Sequence, residues 1–358
     1  MIYLDYQATS PLAPEALAAM LPWLRDQHAN PHSAHGPGRA ARAAVEVARD
    51  WIEGLLPEDG SLSFTSGATE ALNWAIKGVG PGRIVTLATE HAAVLDTVEA
   101  LAKAGREVVV LPVHADGMVD LAAARARITP GTALVAAMQV NNEIGVVQPV
   151  GELAELAREA GALFLCDAVQ GFGRLDPPDA DLIAISAHKI HGPKGIGGLW
   201  IRDGVEIAPL LHGGGQESAG RSGTLSPALC AGFGAAAKLA SESAEADRGH
   251  VERLWNIATA RLPGWEINGS TEHRYRGNLN VRRDGIDVNR LMSDLRDIAF
   301  SAGSACASGS GRTSHVLRAI GLSESQAKSS IRLGFGRYTT EAELIEAIDR
   351  IAAATEAQ

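Results

Sequence analysis

Residues 181–198 read DLIAISAHKIHGPKGIGG. An unbroken apolar run opens the stretch, Ser186, His188 and Lys189 close it, and a Gly/Pro turn follows. A short continuous apolar run of this kind fits a strand buried on both faces, as in parallel sheets covered by helices. A lysine at a strand end is in most chains a solvated surface residue. Here it follows the apolar run directly, with Ser and His beside it, and a functional amine is the better reading.

The neighbouring sequence repeats the pattern. GRIVTLAT (82–89) reads as a strand, AAVLDTVEALAKAG (92–105) as an amphipathic helix and REVVVLPV (106–113) as another strand. TALVAAMQV (132–140), the helix GELAELAREAGA (151–162) and the strand LFLCDAV (163–169) continue it. Strands alternating with helices from about residue 60 to 202 predict an α/β domain with a mainly parallel sheet flanked by helices. After the long helical pattern LSPALCAGFGAAAKLA (225–240), the chain reads as a smaller α+β unit. The expected division is a large domain over 13–240 and a small one built from 1–12 and 241–358.

Composition narrows the function. Of 358 residues, 46% are hydrophobic and 21% charged, with a formal net charge of -10. That balance, with no basic run, argues against a nucleic-acid partner, whose phosphates need clustered Lys and Arg. The N-terminal MIYLDYQATSPLAPEAL lacks a charged n-region and an apolar h-region, so no secretory signal is expected. The longest apolar runs are too short to span a bilayer, so no membrane association is expected. Three cysteines without a C-x-x-C spacing point to a reducing, cytoplasmic setting. His28, His32 and His35 have suggestive spacing, but Pro31 and Pro37 break any shared helical face and no carboxylate completes a ligand set. No metal is expected.

In open α/β sheets ligands collect at the carboxyl ends of the strands. SFTSGATEALNWAIKG (63–78) is a strand, a small-residue turn and a helix. Ser66 to Thr69 lie at the helix start, where free N–H groups favour an anion such as phosphate, although taken alone a simple Ser/Thr N-cap is the better reading. There is no P-loop and no G-x-G-x-x-G after a strand, so neither common nucleotide signature is present. Asp167 ends the strand LFLCD, with Gln170 three residues on. It is a solvated acid or helix cap, or else the partner of a cationic ring nitrogen. A Schiff-base lysine must be neutral to attack, and burial or nearby cations bring its pKa down. Strand-end Asp, strand-end Lys and a phosphate-binding helix start together suggest pyridoxal 5'-phosphate, which needs those three partners.

Ten ordered segments then carry a resemblance from end to end: YLDYQATSP, NPHSAHGPG, TSGATEA, EHAAVLD, NNEIGVVQP, CDAVQ, SAHKIHGPKGIG, RSGT, SAGSAC and SSIRLGFGR. The chain resembles the cysteine desulfurases, in the class V aminotransferase group of fold-type I pyridoxal-phosphate enzymes. The resemblance implies that Lys189 is the Schiff-base lysine, that Asp167 faces the pyridinium nitrogen and that His91 stacks on the ring with an acid/base role. It implies that Gln170 bonds the ring hydroxyl and that Ala68, Thr69, Ser186 and His188 hold the phosphate. Thr224 would reach the phosphate of a partner subunit, which implies a homodimer. Asn142 and Arg332 would bind the carboxylate of L-cysteine, a planar match that suits Arg. Gln7 and Ser10 depart from the commoner family residues, and little consequence is expected.

Cys306 lies in SAGSACASGSG (301–311), a stretch with no large residue to bury a thiol. A structural cysteine would sit among apolar neighbours. The resemblance implies that Cys306 takes the substrate sulfur as a persulfide, leaving alanine, and passes it to an acceptor protein or small-molecule thiol. A Ser/Gly-rich loop suits two such tasks. With an ordinary thiol pKa only about 3% would be thiolate at pH 7, so His91 or the substrate must deprotonate it. Cys166 and Cys230 sit in apolar runs and read as packing residues, and Lys194 is the second candidate for the amine. Family members serving iron–sulfur assembly often carry a C-terminal extension that docks a scaffold. The sequence ends with IDRIAAATEAQ, so a scaffold partner is not expected from it and the acceptor stays open. Rival readings are a selenocysteine lyase or class V aminotransferase on the same fold, or a non-catalytic scaffold homologue.

Overall fold

The computed structural model describes residues 1–217, 220–303 and 313–358. Among them, seven strands form a central sheet in the order Gly60–Thr65, Gly197–Arg202, Leu182–Ser186, Leu163–Asp167, Thr132–Met138, Arg83–Leu87, Val108–Leu111. All run parallel except Gly197–Arg202, which is antiparallel to both neighbours.

Both faces of the sheet are covered, which explains the continuous apolar runs. Successive residues of one strand point to opposite faces, and here they enter different cores. Ile84, Leu134, Leu165, Leu182 and Leu199 pack with Trp74, Ile76 and Val94 from the helices Ala68–Gly78 and Ala92–Lys103. Val85, Val135, Phe164, Ile183 and Trp200 pack on the other side with Phe233 of the helix Pro227–Glu242 and Leu153 of Val150–Glu159. Full burial of each such side chain contributes about 1.5–3 kcal/mol.

The strand Gly197–Arg202 is not distinct in the sequence, because two glycines replace its first apolar residues. The backbone requires at least the first. A Cβ at Gly197 would lie 2.5 Å from the carbonyl oxygen of Ile185 and 2.8 Å from Cα of Gly67. Two further helices, Pro14–Arg25 and Gly36–Glu53, carry no sequence expectation and pack on Pro227–Glu242. The second begins with His35 as its N-cap, Nδ1 accepting from Gly38 N–H at 3.2 Å.

A separate core gathers Leu254, Leu279, Ile331, Leu344 and Ile348 with Ile2 and Leu4. Its sheet is antiparallel, in the order Ser301–Ala302, Ser330–Gly334, Asn278–Arg282, Glu266–Ile267. Ile2–Tyr3 joins this region by pairing in parallel with Ile298–Ala299. From there the chain runs through residues 5–10 towards the carboxyl ends of the large sheet.

Candidate active site

The register of the large sheet sets Asp167 opposite Met138 on one side and Ala184 on the other. The carboxyl ends of three adjacent strands therefore open into one place, and a cavity of about 610 Å3 lies there. Every residue expected at the site lines this cavity except two. Thr224 is exposed and outside it, and Cys306 lies outside the described residues.

At the sheet edge stand an acid, an amine and an imidazole. Asp167 is buried, and its Oδ1 accepts the N–H of Val169 at 3.0 Å. Burial pushes its carboxyl up, while His91, the Val169 N–H and Lys189 oppose the shift. Lys189 ends the single 3₁₀ turn Ala187–Lys189 that follows the strand Leu182–Ser186. Its Nζ donates to the main-chain oxygens of Gln7 and, at 2.9 Å, Ala8. His91 caps the helix Ala92–Lys103, with Nδ1 accepting from Ala93 N–H at 3.1 Å. That bond assigns the proton of the neutral ring to Nε2. Burial holds His91 below its ordinary range, so the neutral form dominates.

Ala68 and Thr69 open the helix Ala68–Gly78, and a Cβ built on the preceding Gly67 would meet nothing within 4 Å. Ser186 and His188 line the same cavity. Burial, helped by Lys189 and Lys194, lowers His188 to about 4, so it is a neutral partner here, its Nδ1 3.1 Å from Thr9 Oγ1. Lys194 also lines the cavity but is exposed. The loop bearing Thr224 is fastened beside this end by two ion pairs, Arg221–Glu70 at 2.9 Å and Arg49–Glu217 at 2.9 Å.

Arg332 comes from the other core, on the strand Ser330–Gly334, and its side chain is 0% exposed. Its Nη2 pairs with Asp5 at 2.6 Å and its Nη1 donates to Asn142 O at 3.0 Å. Nε is buried and has no hydrogen-bond partner among the described residues. Gln170 is also engaged, donating from Nε2 to Gln7 O at 3.0 Å.

The N-terminal segment is what sequence reasoning missed. Gln7 lends its main-chain oxygen to Lys189 and Gln170, and its side chain donates to Gly277 O at 2.8 Å. Ser10 is buried and bridges His188 O and His191 N–H, at 2.9 and 2.7 Å. Both positions build the floor under Lys189, Gln7 through its main-chain oxygen and Ser10 through its hydroxyl. Glu90 was missed as well. It is fully buried, with Oε1 accepting Met138 N–H at 2.7 Å, and burial reinforced by Asp167 pushes its carboxyl well above the usual range. An acid directly before His91 was the available signal. Cys166 and Cys230 are buried as expected, and burial raises both thiols, Cys230 to about 12.

The aminotransferase class-V family pattern matches residues 2–347. The cysteine desulfurase IscS of Rickettsia typhi (strain ATCC VR-144 / Wilmington) is 43% identical over 98% of this chain and 90% of its own length. That of Rickettsia akari (strain Hartford) is 44% identical over the same shares. Among solved structures, a NifS-like protein superposes with a TM-score of 0.92 at 32% identity, covering 100% of both chains. SspA in complex with cysteine does so with a TM-score of 0.83 at 35% identity, covering 95% of this chain and 100% of that one. The chain belongs to the class V aminotransferases and, within them, to the cysteine desulfurase family.

Proposed function

We propose that the protein is a pyridoxal-phosphate-dependent cysteine desulfurase. Lys189, Asp167, His91 and the start of the helix Ala68–Gly78 line one cavity, and that observation carries the reading. The residues present fit the cofactor on three counts: a buried carboxylate, an uncrowded helix start and an amine just past a strand end, all lining one cavity. Asp167 would face the ring nitrogen and Gln170 the ring hydroxyl. Ala68, Thr69, Ser186 and His188 would hold the phosphate, and Lys189 Nζ would sit at the aldehyde carbon. When bound, pyridoxal phosphate supplies an electron sink that acidifies the α-carbon of an attached amino acid.

The protein's own groups do the rest. Arg332 would offer its Nε–H to the L-cysteine carboxylate, because its three donor contacts to Asp5, Ser301 and Asn142 come from Nη1 and Nη2 and leave Nε without a partner among the described residues. Asn142, on the cavity wall, would bind the same carboxylate. Lys189 would take the α-proton, its amine held by the main-chain oxygens of Gln7 and Ala8. A neutral His91, its Nδ1 spent on the helix cap, would accept the thiol proton at Nε2 only after tautomer exchange or rotation. Its simpler role is stacking and relaying a proton from Nε2. The Cys306 thiolate would attack the substrate sulfur. The S–S bond forms as the Cβ–S bond breaks, and the electron pair and a proton go to Cβ to give alanine. An acceptor protein or small-molecule thiol would then remove the persulfide sulfur.

A homodimer fits Thr224, which is exposed and outside its own chain's cavity although its loop is fastened beside it. The division into 13–240 and 1–12 with 241–358 would give one unit the cofactor and the other Arg332 and Cys306. The reading is tested by sulfide and alanine release from L-cysteine with a reductant, for the wild type and Cys306→Ala. Equimolar products from the wild type and none from the variant are expected. Alanine from neither, with cofactor bound, would instead favour a transaminase or a selenocysteine lyase.

A further inference from the structure

The turn after Lys189 has a second cavity on its other side. Ser186, His188 and Lys189 line the first, whereas Ile190 and His191 line a separate space of about 230 Å3. This is smaller than the roughly 300–1,000 Å3 that takes drug-sized ligands. Tyr6, Tyr275, Leu175 and Val251 give it an apolar side.

Its charge is unlike that of the rest of the chain. Five guanidinium groups face two carboxylates in the wall, in a protein of net charge -10. Both carboxylates are already used: Asp247 pairs with Arg337 at 2.5 Å and Glu252 with Arg276. Arg174, Arg248 and Arg274 have no carboxylate within 4.0 Å among the described residues.

Arg274 is 8% exposed. Its Nε donates to Ser270 O at 2.9 Å and its Nη2 to the main-chain oxygens of Ile144 and Asn268, while Nη1 is buried with no partner among the described residues. Burial lowers it only to about 9, so it stays charged at neutral pH. Nη1 of Arg337 is a second buried donor without a partner. A purely structural role accounts for Nε and Nη2 of Arg274. It leaves two buried donors, on two lining residues from different chain segments, without a partner among the described residues just behind the cavity surface, where orphaned donors are rare. It also leaves Arg248 exposed and unpaired at the rim.

We propose that this cavity binds a small organic anion, a carboxylate or phosphate on a compact apolar body, separately from the cofactor site. The guanidinium forks match either anion, and Tyr6, Leu175 and Val251 match the body, while the Tyr275 ring already carries the Arg174 guanidinium at 5.0 Å. Occupancy would be felt across the turn. Arg174 donates from Nη1 to Gln170 O at 3.2 Å and to its Oε1 at 3.3 Å, and from Nη2 to Lys189 O.

Calorimetric titration of the cofactor-loaded full chain with phenyl phosphate, benzoate and inorganic phosphate tests this. One saturable site is expected for at least one aromatic anion, tighter than for inorganic phosphate, and the better of the two identifies the anionic group. Arg274→Met and Arg248→Glu should each weaken it about tenfold or more. Arg274→Met removes main-chain hydrogen bonds, so Arg248→Glu, at an exposed and unpaired residue, is the variant that must fold and keep basal desulfurase activity. No saturable binding up to about 10 mM, equal affinity for inorganic phosphate, or affinity unchanged in Arg248→Glu would each overturn the proposal.

Discussion

Arg332 and Asp5 form a 2.6 Å ion pair that ties the N-terminal segment to a strand of the C-terminal core. The guanidinium is 0% exposed and the carboxylate 20%, and Ser301 Oγ donates to the same carboxylate oxygen at 2.9 Å. Removing one partner of a buried pair leaves an uncompensated charge, which costs about 3–5 kcal/mol. Asp5 retains some water, so Asp5→Asn should cost about 3 kcal/mol. It should also raise KM for cysteine more than it lowers kcat, because Arg332 would lose its fixed orientation. Denaturant unfolding together with steady-state kinetics checks both, and an unchanged midpoint would remove Asp5 from this role.

Lys189→Ala should abolish turnover and the absorbance band of covalently held cofactor. The phosphate contacts would remain, so non-covalent cofactor should still bind, at lower affinity. Absorbance spectroscopy and equilibrium dialysis separate the two. Turnover surviving in the variant would move the amine to Lys194.

Gly197→Ala places a Cβ against backbone on both sides, at 2.5 and 2.8 Å. Overpacking of this kind costs about 1–3 kcal/mol, and here it would push the 66–69 turn away from the strand that leads to Lys189. Cofactor affinity should fall by about tenfold or more alongside the stability loss, since the phosphate and amine positions would no longer match. A variant that is destabilised but binds cofactor normally would show that the two halves move independently.

His191 gives a pH dependence of definite sign. Burial lowers it to about 4, against about 6.5 in an unfolded chain. Above pH 6.5 both states are neutral. Between 6.5 and 4 the unfolded chain takes up a proton that the folded one refuses, so stability falls as the pH falls, by up to about 3 kcal/mol for this residue. His188 acts in the same direction. Glu90, whose folded pKa is raised, acts in the opposite one, destabilising as the pH rises through its folded value. His191→Asn, an acceptable residue at its φ of 70°, should flatten the unfolding free energy between pH 6.5 and 4. A profile as steep as the wild type would sink the assignment.

Much of the sheet was legible because both its faces are buried, which makes Leu182–Ser186 and Leu163–Asp167 unbroken apolar runs. Lys189 and Asp167 were legible because polar residues at the ends of such runs stand out. The strand Gly197–Arg202 was not, since close backbone contacts put glycine where apolar residues would have marked it. The contact of Gln7 with Lys189 was not legible because its main-chain oxygen makes it, and main-chain atoms leave no residue signature. The floor under Lys189 depends on segments some 180 positions apart, a juxtaposition that no local motif encodes.

The antiparallel strand Gly197–Arg202 also bears on the order of folding. Its partner Gly60–Thr65 emerges early in synthesis, yet it cannot pair into the sheet until the chain beyond Gly197 exists. Contacts of such long separation close slowly, because the entropy of the intervening loop must be lost first. A nascent chain halted before residue 197 would already contain Lys189, Asp167 and the Ala68 helix, but not the strand that brings the helix start to the amine. On the proposed reading, cofactor capture would wait for the strand Gly197–Arg202 to pair, and a chain truncated before it should hold cofactor weakly.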